Sequence, residues 1–261
     1  MSAKLLMVTY NRLELTKQTL ESIFDNTKTP FELIIVDNAS SDGTIEWLNE
    51  FLSSKEKNEI YLGATLLCNS ENLGIAIGRN QTLMLAGNSD WYATLDNDVI
   101  LPDNWLQKCI DIMTINPAYG MLGVNFENVQ YPLVDVGSYK VQHKKEGNLG
   151  TACMVFSKKV QKMIGFFNDS DYGKYGLEDS DYGFRARVAG FKLGYLEDLG
   201  VHLGEDGADK GEYRKFKTEE HNKFLQKFYN NCKQYYNKSK SIYLPLNKNK
   251  YSFDDKNIKK Y

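Results

Sequence analysis

Ile34-Ile-Val-Asp37-Asn-Ala-Ser-Ser-Asp42-Gly-Thr44 sets the reading of the whole chain. An apolar, β-branched run stops abruptly at a polar, Gly-containing turn, and beyond the turn Ile45, Leu48 and Leu52 recur on one side of a helix. Strand, polar turn, amphipathic helix is one half of a βαβ unit. The same grammar continues on both sides. Upstream, Leu5–Thr9 reads as a strand and 13–25 as a helix with Leu15, Leu20, Ile23 and Phe24 on one face. Downstream, Thr65–Leu67 is a strand, Asn69–Gly74 a turn, and a helix runs to about Leu85. Trp91–Leu95 is a fourth strand, ending in Asp96-Asn97-Asp98. Alternation of this kind predicts an α/β fold with a mostly parallel central sheet flanked by helices, and in open sheets of that type ligands sit beyond the strand ends, where every turn here is polar or Gly-containing.

After Gly120 the pattern loosens. Strands are expected near 121–126, 134–141, 151–156 and 192–196, and helices near 158–164 and 178–189. An amphipathic helix over 212–229 and a Lys/Asn/Tyr-rich tail over 230–261 follow, so the expected division is a catalytic-sized body, 1–211, with that helix and tail appended. The tetrapeptide Ser-Asp-Tyr-Gly occurs at 170–173 and 180–183, too short an echo to signal a repeat architecture.

Bulk properties exclude several classes. With 261 residues, 42% hydrophobic and 25% charged, the chain is neither collagen-like, disordered nor a disulfide scaffold. The four cysteines have no zinc-ligand spacing and read as reduced thiols. No apolar run is long enough for a membrane span, and the N-terminal one is too short for a signal peptide, which predicts a cytoplasmic protein, with peripheral attachment to a membrane or acceptor surface left open. The formal charge of -2 hides an asymmetry: the tail carries eight Lys against two Asp, which is +6, and leaves -8 on residues 1–229. An acidic body does not attract a phosphate backbone, so any polyanion affinity falls to the tail.

Asp96-Asn97-Asp98 projects two carboxylates from a strand end, a spacing able to hold a hard divalent cation against a diphosphate, although a lone pair of this kind is more often a solvated turn. It does not stand alone. Val8-Thr-Tyr-Asn-Arg12, the 34–44 segment, Asn72-Leu-Gly74-Ile-Ala-Ile-Gly-Arg79-Asn80, the 95–98 segment, Gly150-Thr-Ala-Cys-Met-Val-Phe156, Gly176-Leu-Glu178-Asp179-Ser-Asp181 and Val201-His202 follow one another in an order that resembles the inverting family 2 glycosyltransferases of GT-A fold. The resemblance covers about residues 4–204.

That resemblance implies a nucleotide-sugar donor, probed by Thr9, Tyr10, Asn11 and Arg12 at the first strand end and by Asp37, which would accept the imide N–H of a uracil or thymine. Without it, Asp37 is a turn aspartate. Asn72 and Gly74 would let backbone approach the nucleotide, and Arg79 would reach phosphate or hold the acidic loop. Asn80 is taken as structural. Asp96 and Asn97 would face the donor, while Asp98 and His202 would ligate Mn²⁺ or Mg²⁺. Asp179 aligns with the family's general base and Glu178 with its partner, whereas Asp181 pairs with Arg185 at i, i+4. Inversion needs one base, and the metal takes the acid's part at the leaving group.

Lesser expectations follow. Trp47, Trp91 and Trp105 are assigned to the core, and Tyr172, Tyr175 and Tyr182 flank the acid cluster where a sugar or base could stack. The loop 204–211 could close over donor and bring Lys210, Arg214 and Lys215 to phosphate, or be a solvated linker. A sugar-nucleotide pyrophosphorylase would need a Gly- and Arg-rich first turn that is absent, a dehydrogenase a GxGxxG. A non-catalytic nucleotide-sugar-binding protein would not require both carboxylates of 96–98, Asp179 and His202. The acceptor could be a glycan, lipid-linked sugar, protein or nucleic acid, and the tail either a disordered end or an arm that docks an anionic partner.

Overall fold

The computed structural model describes residues 2–126, 129–150, 152–206, 211–246, 251 and 255–261. Among these, the first half of the chain forms β1 (Ala3–Thr9), α1 (Leu13–Asn26), β2 (Phe31–Asp37), α2 (Thr44–Ser54), β3 (Tyr61–Cys68), α3 (Ile75–Ala86) and β4 (Trp91–Leu95). The second half adds β5 (Val99–Ile100), α4 (Trp105–Ile115), β6 (Tyr119–Asn125), β7 (Leu133–Val136), β8 (Tyr139–Lys144), β9 (Cys153–Ser157) and α5 (Lys158–Ile164). It continues with α6 (Glu178–Val188), β10 (Lys192–Leu199), β11 (Val201–His202), α7 (Glu212–Tyr236) and β12 (Ile258–Lys260).

One ten-stranded sheet, in the order β12-β3-β2-β1-β4-β9-β6-β10-β8-β7, organises the molecule. Strands β3-β2-β1-β4 are parallel, as the βαβ grammar predicts, and so are β6 and β10. The other pairings in this sheet are antiparallel, making the second half mixed. Both faces of the parallel part are covered, so β1 and β2 are buried almost end to end. Period-2 alternation splits their side chains between two cores: Leu5, Met7, Leu33 and Ile35 pack with α1, α2 and α4. Leu6 and Ile34 pack with Leu83 of α3, Val160 of α5 and Tyr182 of α6.

Several elements differ from the sequence reading. The single strand expected over 134–141 is a hairpin, because Gly137, at φ 59°, turns the chain between β7 and β8. Helix α4 was not anticipated: Asn104 opens it in a left-handed conformation and Trp105, Leu106, Cys109 and Ile110 bury its inner face. Helix α7 continues seven residues past Tyr229, because Asn231 and Tyr235 lie on its buried side. The chain then returns to the sheet, where β12 pairs antiparallel with β3 and Tyr251 is buried near Asn80. Trp91 and Trp105 are core residues, but Trp47 is only half-buried, stacked on Phe51. The four cysteines are free thiols. No helix among the described residues is long and apolar enough to cross a membrane.

Candidate active site

At the carboxyl ends of β1, β4 and β6 the sheet opens into a cavity of about 630 Å³. The acidic loop enters it directly from β4. Asn97 donates through Nδ2 to Thr16 Oγ1 (2.9 Å) and to the Asn11 carbonyl (3.3 Å), tying this loop to α1. Beyond it, β5 pairs with β11, placing His202 opposite Val99, one residue from Asp98. The Leu203 N–H donates to the Asp98 carbonyl at 2.7 Å. Two residues 104 apart in sequence thus meet, with His202 Nε2 3.7 Å from Asp98 Oδ1.

The electrostatics at this point are unusual. Asp98 Oδ1 and His202 Nδ1 are buried with no hydrogen-bond partner among the described residues, an arrangement that burial normally penalises. Gly204 lies against both: a Cβ there would come within 2.8 Å of Asp98 Oδ2 and 3.1 Å of His202 Cε1. Asp98 Oδ2 accepts from Arg12 Nη1 at 2.7 Å. Burial, and then the neighbouring Asp96 carboxylate, push the Asp98 carboxyl above its ordinary range, against the pull of His202, Arg12 and Lys217. An orphaned carboxylate oxygen facing an imidazole fits a divalent cation, since two bonds of about 2.1 Å can bridge the gap. No group of three or more candidate ligands occurs among the described residues, so the remaining positions would fall to diphosphate oxygens and water.

The opposite wall comes from α6. Leu177, left-handed at φ 67°, opens this helix so that Glu178 and Asp179 stand at its first turn. Glu178 is buried and Asp179 half-buried, and both line the cavity. Arg79, 4% exposed, links the two walls: Nη2 donates to Asp96 Oδ1 at 2.9 Å and Nε lies 3.5 Å from Glu178 Oε1. Arg79 therefore holds the acidic loop, the second of the two roles open to it. Burial, with the Asp179 charge adding to it, pushes the Glu178 carboxyl up to about 8, despite Arg79. Its Oε2 has no hydrogen-bond partner among the described residues. One turn further on, Asp181 pairs with Arg185 at 2.6 Å, both side chains fully buried.

Some candidates sit behind the cavity. Asp37 is fully buried and does not line it: Oδ1 accepts the Ser40 N–H at 2.8 Å, and Oδ2 accepts Thr9 Oγ1 at 2.8 Å and Ser40 Oγ at 2.6 Å. The turn-aspartate reading describes this geometry, and Asn38 takes its place in the wall. Asn11 is spent similarly, its N–H on Ser40 Oγ and its Oδ1 on the Ser41 N–H. Gly74 has a protein neighbour: a Cβ there would meet Lys174 Cα at 2.8 Å. Asn72 caps it, Oδ1 accepting the Gly74 N–H. Thr9, Tyr10, Arg12, Asn72, Arg79, Asp96, Asn97, Asp98, Glu178, Asp179 and His202 do line the cavity, with Tyr10 44% exposed at the mouth.

Of the three tyrosines by the acid cluster only Tyr175 reaches the cavity; Tyr172 and Tyr182 are buried, the first hydrogen-bonded to Asp181, the second stacked on Phe167. Arg214 and Lys215 are exposed and outside it, and Lys210 lies outside the described residues. Phe216 and Lys217 of α7 line the cavity instead, and sequence reasoning missed both. The signal was there: 217, 221, 224, 228, 231 and 235 form one 3.5-residue stripe, so a lysine stands in register with the buried face of α7.

A family model described as Glycosyl transferase family 2 matches residues 5–171. The putative teichuronic acid biosynthesis glycosyltransferase TuaG of Bacillus subtilis is 31% identical over 105 residues, 40% of this chain and 38% of that protein. Glucosyl-dolichyl phosphate glucuronosyltransferase of Haloferax volcanii is 31% identical over 119 residues, 45% of this chain and 36% of that protein. The chain thus spans little more than a third of the length of these relatives. Among solved structures, mannosyltransferase PcManGT from Pyrobaculum calidifontis, in complex with GDP-Man and Mn²⁺, superposes with a TM-score of 0.61 at 16% identity, over 82% of this chain and 59% of that one. GalNAc-T7 with UDP, GalNAc and Mn²⁺ gives 0.62 at 12% identity, over 77% and 43%. Identities this low speak for a shared fold, the GT-A fold, and leave substrates aside. With the family model running from β1 to the loop before α6, well over half of its length, the chain belongs to glycosyl transferase family 2.

Proposed function

We propose that the protein transfers a sugar, with inversion, from a nucleotide-diphosphate donor to an acceptor hydroxyl, using Mn²⁺ or Mg²⁺ held by Asp98 and His202. The observation that carries this reading is the orphaned Asp98 Oδ1 facing His202 Nε2 across 3.7 Å, in a cavity whose other wall bears the half-buried carboxylate of Asp179. A divalent cation at that point supplies neutralising charge for the departing diphosphate.

The chain's own residues do the rest. Asp179 Oδ1 accepts the Ser180 N–H at 2.5 Å, which fixes the carboxylate at the first turn of α6 while leaving it open to the cavity. There it takes the proton of the acceptor hydroxyl as that oxygen bonds to the anomeric carbon, on the face opposite the bond to diphosphate. Glu178, largely neutral at pH 7, offers an O–H to a sugar hydroxyl without adding a second negative charge. Arg12 and Arg79 hold Asp98 and Asp96 in place before donor arrives.

A UDP- or dTDP-sugar is the donor we favour, on the strength of the family resemblance at Asp37. For Asp37 to meet an imide N–H, Ser40 must turn away, so the donor panel is the first experiment. The chain is incubated with Mn²⁺ and UDP-, dTDP- and GDP-sugars, and nucleotide release is read with and without chelator. Release from a pyrimidine donor that stops on chelation is expected, and a GDP-sugar winning the panel overturns the base assignment. Asp179→Asn should lower turnover by about 100-fold or more, the usual worth of a positioned base, with Mn²⁺-dependent nucleotide binding kept. Wild-type turnover by that variant, or no donor consumed by the wild type, refutes the reading.

A further inference from the structure

Helix α7 enters the family 2 body from outside the matched residues, and its position is dictated by its own periodicity. Tyr235 Oη donates to Asp181 Oδ2 at 3.0 Å, and Asn231 Nδ2 donates to Tyr172 Oη at 3.0 Å. Phe228 packs with Tyr172 and Leu177, with Phe224 against the same cluster. The loop 173–176 presses onto the next turn: a Cβ at Gly173 would come within 2.7 Å of Phe224, and one at Gly176 would touch His221. The stripe 235, 231, 228, 224, 221 then reaches 217, the turn that rises over the cavity. Lys217 lines the cavity with its ammonium 5.3 Å from the centre of the Tyr175 ring, and its charge acts on Asp98. Tyr175 and Phe216 line the cavity with it, and the Tyr175 ring attracts the ammonium by a cation–π contact.

We infer that Lys217 is a catalytic residue of the transfer, the cation of α7 that binds the donor's diphosphate and shares the charge of the leaving group. This rests on the glycosyl-transfer reading above. As the acceptor oxygen bonds to the anomeric carbon and its proton passes to Asp179, the electron pair of the breaking carbon–oxygen bond goes to the diphosphate, where a fixed ammonium stabilises developing charge most. Arg12 reaches Asp98 from the β1–α1 turn and Lys174 Nζ donates to the Asn72 carbonyl at 2.9 Å, and Lys217 adds positive charge to the same cavity from a third element, α7. Because α7 is locked to Asp181, two residues beyond Asp179, base and cation are held on one support.

The test uses the full chain with Lys217→Met and Lys217→Arg, each compared with wild type by thermal melting, by Mn²⁺-dependent nucleotide release from UDP-, dTDP- and GDP-sugars, and by calorimetric binding of UDP, UMP and GDP. Loss of one charge-assisted contact to phosphate predicts a fall in kcat/KM of roughly 10- to 100-fold for Lys217→Met. UDP and GDP binding should weaken by about tenfold with UMP binding unchanged, and Lys217→Arg should stay within roughly threefold of wild type. A folded Lys217→Met with wild-type turnover and an unchanged UDP-to-UMP ratio overturns the inference and leaves glycosyl transfer standing. A wild type that turns over no donor yet binds UDP loses the transfer reading, and the UDP-to-UMP ratio then decides whether Lys217 holds diphosphate. A wild type that binds no nucleoside diphosphate overturns both.

Discussion

Glu178→Gln turns the buried acid of the cavity wall into a pH experiment. Glu178 is 4% exposed, and burial, the first cause, with Asp179 beside it, lifts the carboxyl from 4.5 to about 8. Between those values the folded chain holds a proton that the unfolded chain has lost. A raised acid contributes stability that is complete below the unfolded value and disappears as pH climbs through the folded one, so wild-type stability falls with pH across this window, by up to about 1.4 kcal/mol per pH unit. Across the whole window the loss is roughly 5 kcal/mol. Glutamine fills nearly the same volume and does not ionise, so its stability lacks this slope. The assay is urea unfolding of both proteins with chelator present, at pH 5, 6, 7 and 8. Wild type should match or exceed the variant at pH 5 and lose ground steadily toward pH 8. Stability curves that run parallel over this range, within a few tenths of a kcal/mol, would refute the claim that Glu178 is neutral at pH 7.

Two further outcomes follow from packing. Asp181→Ala leaves the fully buried Arg185 guanidinium without its carboxylate and strands the Tyr172, Tyr235 and Asn168 donors, so urea unfolding should show a loss of roughly 3–5 kcal/mol, and a loss under about 1 kcal/mol would contradict the anchor. Gly74→Ala introduces a Cβ 2.8 Å from Lys174 Cα, at φ 91° and ψ 167° where glycine alone sits comfortably. That conformation alone costs about 1–3 kcal/mol, so thermal melting should drop and nucleotide binding weaken as the 174–176 loop shifts; unchanged melting and binding would show that the loop yields freely.

Local chemistry explains what the sequence made legible. Thr9 to Arg12 and Asp96 to Asp98 follow strands whose apolar runs are unmistakable, so their place at the carboxyl edge follows from pattern alone. His202 became readable through the family resemblance, because the β5–β11 pairing that sets it beside Asp98 is two residues long on each side and has no pattern of its own. Asp37 shows where local reading stops. Its strand end is legible, but the fate of its carboxylate depends on register: Thr9 faces Asp37 across β1 and β2, and Ser40 folds back onto the same oxygen. No single segment contains that arrangement. The neighbour of Gly74 is hidden for the same reason, since the backbone it admits is Lys174, a hundred residues away.

Helix α7 marks the sharper boundary. Its amphipathicity is visible, yet a stripe ending in Lys217 reads as a solvated face until the partner of that stripe is known. The partner is the 172–177 loop and Asp181, whose buried ion pair with Arg185 is a four-residue spacing that the sequence does show. Arg185 itself donates to the Phe166 carbonyl at 2.8 Å and to the Ile242 carbonyl at 3.2 Å, joining the segment before α6 to the chain after α7. The part of the chain with the plainest charge signature, 230–261, is therefore not merely an appended stretch of lysines: Asn231, Tyr235, Ile242 and Tyr251 contribute contacts to the body. Composition reports the sum of charges, while the placement of a few tyrosines and one asparagine on the inner side decides that α6, and with it Asp179, is braced from behind by residues that composition alone would assign to a tail.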